Sequence, residues 1–170
     1  MIVINRMWGP ASPTGFLIAS LGFVTDWLSK YWLLSVLQSK PIGTRITITP
    51  FMDVVLVWNT GVSYGLFTNN SEVGRWFLII LIVAIIAVVI VWLARVQGWL
   101  LALALGLIIG GALGNLYDRL VYGAVADFFS LHAWGYYWYV FNLADVWIVV
   151  GAALMVWNSV RLFSAGENQN

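Results

Sequence analysis

The chain has 170 residues, 62% of them hydrophobic and only 9% charged, with a formal net charge of +1 and a mean hydropathy of +0.90. A soluble domain carries about a quarter charged residues, so this composition describes an integral membrane protein, one domain over 1–170, with no basic surface for nucleic acid. Cysteine is absent and His132 is the one histidine, which excludes disulfides, thiolate nucleophiles and sulfur-rich metal sites.

Residues 1–12 form a short mixed tail. The first apolar run, about 13–37, is too long for the core of a signal peptide, contains Asp26 and Lys30, and is followed by no small-residue cleavage site. It reads as a retained helix that crosses the bilayer. Asp26 and Lys30 stand four apart and share one face, acid before base, which predicts an intramembrane ion pair more readily than direct chemistry.

The stretch 41–70 differs in kind. Thr44-Arg45-Ile46-Thr47-Ile48-Thr49 alternates polar and apolar, Pro50 interrupts it, and Asp53-Val54-Val55-Leu56-Val57-Trp58 is a second strand-like run that ends at Asn59-Thr60-Gly61. Gly61 and Gly65 mark turns or a close backbone approach. The pattern predicts a small sheet outside the bilayer, between the first two helices.

The second span, about 76–94, has no charge or amide, lies between Arg75 and Arg95, and is apolar all round, as suits a helix facing lipid. The third, about 99–117, places Gly106, Gly110 and Gly114 in a stripe that admits a neighbouring helix. It runs into Asn115, Asp118 and Arg119, and Asn115 shares a face with the other two. Residues 120–139 hold too many aromatics and breaks to span. Val125-Ala126-Asp127-Phe128 reads as extended, and 132–137 as an aromatic hairpin-like piece. The fourth span covers about 141–163. The tryptophans, 11 in all, and 7 tyrosines suit a membrane–water interface. Four spans put both termini on one side. Arg6, Arg95 and Arg161 then oppose Lys40, Arg45, Arg75 and Arg119, so charge does not decide the orientation.

This topology gathers Asp118, Asp127 and Asp145 at one face with Asn59, Asn115, Asn142 and Arg119, a polar cluster drawn from separate segments. A metal site is poorly supplied, since no H-E-x-x-H occurs and histidine is single. His132 has no acid fixed beside it by sequence. Ser29 adjoins Lys30 and so faces elsewhere on the helix. Carboxylates remain. Two close carboxylates hold one proton between them: the ionised group takes a proton from an attacking water, and the protonated one steadies the carbonyl oxygen of an amide. Asp145 also fits a helix cap with Asn142, where the dipole favours an anion. Asp118 adjoins Arg119 as a possible ion-pair partner, whereas Asp127 has no lysine or arginine within seven positions. Spacing therefore favours Asp127 with Asp145, and leaves Asp118 with Asp145 as the alternative. A proton-coupled transporter built on Asp26, Lys30 and Asp145, or a purely structural helical subunit, are the competing readings. The collection of polar groups at one face and the absence of visible inverted repeats argue against the transporter.

The motifs Asp26-Trp27-Leu28-Ser29-Lys30, Asn59-Thr60-Gly61-Val62-Ser63-Tyr64-Gly65, the string from Gly110 through Asn115 and Asp118 to Arg119, Val125-Ala126-Asp127-Phe128, and Phe141-Asn142-Leu143-Ala144-Asp145 together resemble the lipoprotein signal peptidases of bacteria, also called signal peptidase II. Trp27 stands where that family usually has glutamine, and Ala126 where it has valine. The resemblance implies a mainly α membrane protein: four transmembrane helices, a small extramembrane β-cradle between helices 1 and 2, and a periplasmic loop between helices 3 and 4, part of it a lid. It implies an aspartic endopeptidase of the bacterial inner membrane, with the active site at the periplasmic face and both termini cytoplasmic. The substrate would be a diacylglyceryl-prolipoprotein, cut just before the lipidated cysteine. Asp127 and Asp145 would be catalytic; Asn59, Gly61, Asn115, Arg119 and Asn142 would line the site; Asp118, Asp26 and Lys30 would support it. No metal or organic cofactor is implied, the partners are the substrate and membrane lipid, and the enzyme is expected to act as a monomer.

Overall fold

A computed structural model of the protein describes residues 8–61 and 72–167. The end of the second motif, 62–65, with the rest of 62–71, lies outside these residues, as does most of the N-terminal tail. Four long helices and four strands follow in the order α1 (Ser12–Leu37), β1 (Ile46–Thr49), β2 (Met52–Asn59), α2 (Glu72–Leu93), α3 (Trp99–Val121), β3 (Val125–Ala133), β4 (Tyr136–Phe141) and α4 (Leu143–Glu167).

Three of the helices, α2, α3 and α4, are long and apolar enough to cross a membrane. The remaining one, α1, is the longest but carries Asp26 and Lys30 together with several hydroxyl side chains. Pro13 occupies its first turn, where the missing N–H is not needed. The Ser12 hydroxyl donates to Leu93 O at 2.8 Å, which ties the start of α1 to the end of α2. After Leu37 the helix stops short of Pro41, which cannot continue it.

Helix α3 is the axis of the bundle. Two thirds (67%) of its apolar window is buried inside the protein, against 17% for α2 and 11% for α4, whose remaining surface suits lipid. Its glycine stripe does what the spacing predicts. A Cβ at Gly110 would stand 2.6 Å from the carbonyl oxygen of Ala19, so only glycine lets α1 come this close. Gly106 meets Gly15 and Ile18, and Gly114 meets Asp26, so α1 and α3 run parallel. On α3's other flank Gly111 meets Ala144 and Ile148, while Gly151 meets Ala104 and Ile108, so α4 runs antiparallel. The start of α1 and the far end of α4 therefore lie at the same end.

The strands sit at the opposite end, in one antiparallel sheet of order β1-β2-β3-β4. The two stretches 44–49 and 53–58 do form strands. The sheet is larger than expected, because the extended 125–128 and hairpin-like 132–137 stretches form one β-hairpin, β3–β4, that completes it through pairing of β2 with β3. The cause is long-range: Val54 of β2 with Ala126 and Phe128 of β3 buries an apolar face on Leu33, Leu34 and Leu37 at the end of α1. A second apolar cluster, around Leu93, Leu105 and Ile109, closes the far end. Helix limits shift by a few residues: α3 continues to Val121, and Phe141 ends β4 while α4 begins at Leu143.

Candidate active site

Asp127 lies in β3, opposite Val57, and Asn59 lies two residues further along β2. Residues two apart on a strand share a face, which makes Asn59 and Asp127 diagonal neighbours. The Asn59 Nδ2 donates to Asp127 Oδ2 at 3.0 Å. The Asn59 Oδ1 accepts from the backbone N–H of Gly61 at 2.8 Å, a local turn that fixes the amide. Gly61 has φ of +82°, and a Cβ there would press on Leu78 at 2.5 Å and lie 3.4 Å from Arg119 Nη2. The positive φ favours glycine here, while the Leu78 methyl, at the end of a flexible side chain, would have to turn aside.

Asn142 caps α4. Its Oδ1 accepts from Asp145 N at 3.0 Å, and its own N–H donates to Asp145 Oδ2 at 3.2 Å, a reciprocal pair of the capping-box kind. Its Nδ2 donates to Asp127 Oδ1 at 2.6 Å and to Asn115 Oδ1 at 3.1 Å. Asn115 in turn donates to Asp145 Oδ1 at 2.8 Å. One residue, Asn142, thus touches both carboxylates, and the two asparagines lock the acids to α3 and α4. Arg119 sits beside this group: its Nη1 donates to Asn115 O at 3.2 Å, and Asp127 and Asp145 are the first two charges acting on it.

Burial pushes the Asp127 carboxyl up from 3.8 to about 6, and the nearby Asp145 charge adds to that. The Asn59 and Asn142 amides work against it by stabilising the carboxylate, with a smaller pull from Lys30. Only 1% of Asp127 is exposed. Even so it lines an open cavity of about 340 Å³ with Asn59, Gly61, Trp58 and Tyr139.

Behind the acids lies a second, fully buried network. Lys30 Nζ stands 2.7 Å from Asp26 Oδ2, 2.9 Å from Asp118 Oδ2 and 3.3 Å from Asn115 Oδ1. Asp26 accepts from the N–H of Ala144 at 2.9 Å, and Asp118 from that of Ala126 at 3.1 Å. Ala126 and Ala144 immediately precede Asp127 and Asp145. Each outer acid therefore holds the backbone one step before an inner one.

The structure brings all ten predicted residues together: Asp127, Asn59 and Gly61 line the cavity, Asn142, Asn115, Asp145 and Arg119 join them through hydrogen bonds, and Asp26, Lys30 and Asp118 lie behind. Two details change. The Asp26–Lys30 pair is a three-way bridge that includes Asp118. Asp118 pairs with Lys30 and not with Arg119, because residues adjacent on a helix point to different sides; Arg119 donates instead to Asn115 O. His132 does have an acid, since Asp53 Oδ1 lies 3.3 Å from its Nε2, with Thr47 Oγ1 at 2.9 Å and Arg45 at 3.7 Å from the same carboxylate. That cluster pins β1, β2 and β3 together; its Ser130 is fully buried and its Oγ accepts from Arg45. The reading from sequence missed Tyr139, whose hydroxyl oxygen lies 2.8 Å from Asn59 Nδ2. Only the strand pairing reveals it.

The profile of the family described as signal peptidase (SPase) II matches residues 18–161. A lipoprotein signal peptidase of Methylobacterium sp. (strain 4-46) is 46% identical over 151 residues, covering 86% of this chain and 91% of that protein. One from Methylocella silvestris is 47% identical over 154 residues, covering 89% and 86%. A bacterial membrane enzyme solved by the in meso method at 2.3 Å resolution superposes with a TM-score of 0.74 at 25% identity, covering 93% of this chain and 92% of that one. On these matches, and with helices apolar enough for more than one crossing, the chain belongs to the signal peptidase II family of multi-pass membrane peptidases.

Proposed function

We propose that the chain is an aspartic endopeptidase that removes the signal peptide from diacylglyceryl-modified prolipoproteins, cutting just before the lipidated cysteine. The observation that carries this reading is the bridging of Asp127 and Asp145 by the single residue Asn142. It holds two carboxyls at one site, and one of them, Asp127, lies on the wall of an open cavity. In the reactive form the pair shares one proton, assigned to Asp127 because its carboxyl is the one raised, to about 6. Asp145 takes a proton from water as the water oxygen bonds to the scissile carbonyl carbon. Asp127 donates a hydrogen bond to the carbonyl oxygen as it gains charge. When the tetrahedral intermediate collapses, the C–N bond breaks and the proton held by Asp145 passes to the leaving amine. The Arg119 guanidinium and the Asn115 and Asn142 amides keep the charge balance of the pair through both steps.

The lipid explains the setting. Each buried methylene of the substrate's acyl chains is worth about 0.8 kcal/mol, so the cleavage site stays at the bilayer surface and the enzyme must meet it there. In this reading all four helices cross the inner membrane, both termini are cytoplasmic, the sheet and cavity face the periplasm, and a monomer suffices. Among the described residues every buried charge lies between Asp26 and the sheet, which favours hydrolysis at one face over a relay across the bilayer.

The test is cleavage of a purified prolipoprotein with and without its diacylglyceryl group, read by product mass. The lipidated form should yield a free signal peptide and a fragment beginning with the modified cysteine. Equal cleavage of the unlipidated form, or a cut elsewhere, would overturn the reading.

A further inference from the structure

Tyr139 lies in none of the sequence motifs, and it sits on β4, at one edge of the sheet. Its neighbours Tyr136 and Trp138 are 82% and 81% exposed, as interface aromatics are. The β3–β4 register shifts between Ser130 and His132, a bulge that breaks the alternation of β4, and Tyr139, two residues before Phe141, falls on the face that carries Phe129 and Asp127, away from Tyr137. Its hydroxyl reaches inward to Asn59.

Both N–H bonds of the Asn59 amide and its oxygen have partners. Its oxygen accepts from Gly61 N at 2.8 Å, and its nitrogen donates to Asp127 Oδ2 at 3.0 Å and to Tyr139 Oη at 2.8 Å. The two N–H bonds of an amide diverge in one plane, so anchoring one of them on a phenol oxygen aims the other at the carboxylate. Tyr139 also lines the cavity with Asp127 and lies close enough to act on the charge of Arg119. An aromatic serving only as a membrane anchor needs none of these contacts.

We infer that Tyr139 is a positioning residue: its hydroxyl holds the Asn59 amide in the orientation that places an N–H on Asp127, and so sets the proton affinity of the acid during hydrolysis. This rests on the peptidase reading above. Without the hydroxyl the amide can rotate, its bond to the charged form of Asp127 weakens, and the carboxyl holds its proton to higher pH.

Tyr139→Phe and Tyr136→Phe would be compared with the parent on a diacylglyceryl-prolipoprotein, with kcat and KM followed across pH. For Tyr139→Phe, kcat should fall by about two- to twelve-fold, the range of one neutral hydrogen bond, with KM changing less. The limb of the profile that belongs to Asp127 should move to higher pH, by about half a unit to one unit. Tyr136→Phe should match the parent. In an Asn59→Ala background, Tyr139→Phe should no longer move the limb. A fall in kcat with an unmoved limb, or an equal displacement in the Asn59→Ala background, would overturn the inference. Isotope-edited infrared titration of the Asp127 carboxyl reads the same displacement without turnover. A parent that fails to cleave would therefore count against the peptidase reading, while the titration still decides the role of Tyr139.

Discussion

Replacing Lys30 by methionine tests how the buried network holds the protein together. The change keeps roughly the same volume and removes the one cation shared by Asp26 and Asp118, at 2.7 and 2.9 Å. Those side chains are 0% and 2% exposed. Each would keep one backbone N–H, from Ala144 or Ala126, and lose its counter-charge. Removing one partner of a buried ion pair costs about 3–5 kcal/mol, and one lysine here serves two acids, so the upper end applies. At about 2–4 °C per kcal/mol for a chain of this size, the thermal midpoint should fall by roughly 10–20 °C. The chain has 11 tryptophans and no cysteine, so a heating ramp in detergent is best followed by intrinsic fluorescence. Adding Asp26→Asn and Asp118→Asn removes the orphaned charges and should recover at least half of the loss. A Lys30→Met protein melting within about 2 °C of the parent, or a triple variant no better than the single one, would refute the bridge as the source of stability.

Other changes have equally definite signs. Gly110→Ala drives a Cβ to 2.6 Å from Ala19 O and should lower stability by about 1–3 kcal/mol, whereas Gly98→Ala, with nothing within 4 Å, should lose only the N-cap preference of glycine over alanine at the start of α3, less than about 1 kcal/mol; a Gly110→Ala loss no larger than that of Gly98→Ala would contradict the close α1–α3 approach. Gly61→Ala meets both a φ of +82° and Leu78 at 2.5 Å, so turnover should drop with little change in the fraction folded; full activity would show that the Asn59–Gly61 turn is dispensable. Asp127 makes stability depend on pH. Its carboxyl is raised from 3.8 to about 6, so the folded chain keeps a proton that the unfolded chain has lost. The stability this confers is complete below about 3.8 and is lost as pH rises through about 6. Asp127→Asn, which does not ionise, should therefore gain on the parent by at most about 3 kcal/mol as pH rises from about 4 to about 7. Parallel melting curves across that range would contradict the raised carboxyl.

Much of this architecture is legible in the sequence because it is local. The helical runs, the Asp26–Lys30 spacing, the glycine stripe of α3 and the Asn142–Asp145 cap are all fixed within a few residues. The pairing of β2 with β3 is not, since no periodicity links Asn59 to a strand some 68 residues away, and that pairing creates the contacts Asn59–Asp127, His132–Asp53 and Asn59–Tyr139. The partner of Asp118 was hidden for a similar reason. Adjacency suggested Arg119, but a helix turns adjacent side chains apart and delivers Asp118 to Lys30 on another helix. Orientation stayed open for a different reason: the basic residues are nearly balanced between the two ends.

The central claim is that Asp127 and Asp145 act as one catalytic unit, and turnover of matched variants tests it most directly. The parent, Asp127→Asn, Asp145→Asn and the double variant, each shown to be folded by its melting curve, would be assayed on a purified diacylglyceryl-prolipoprotein. Each single variant should lose nearly all cleavage, and the double variant should be no worse than either, because groups that act as a unit do not add. Substantial cleavage by a folded Asp127→Asn or Asp145→Asn protein would contradict the account.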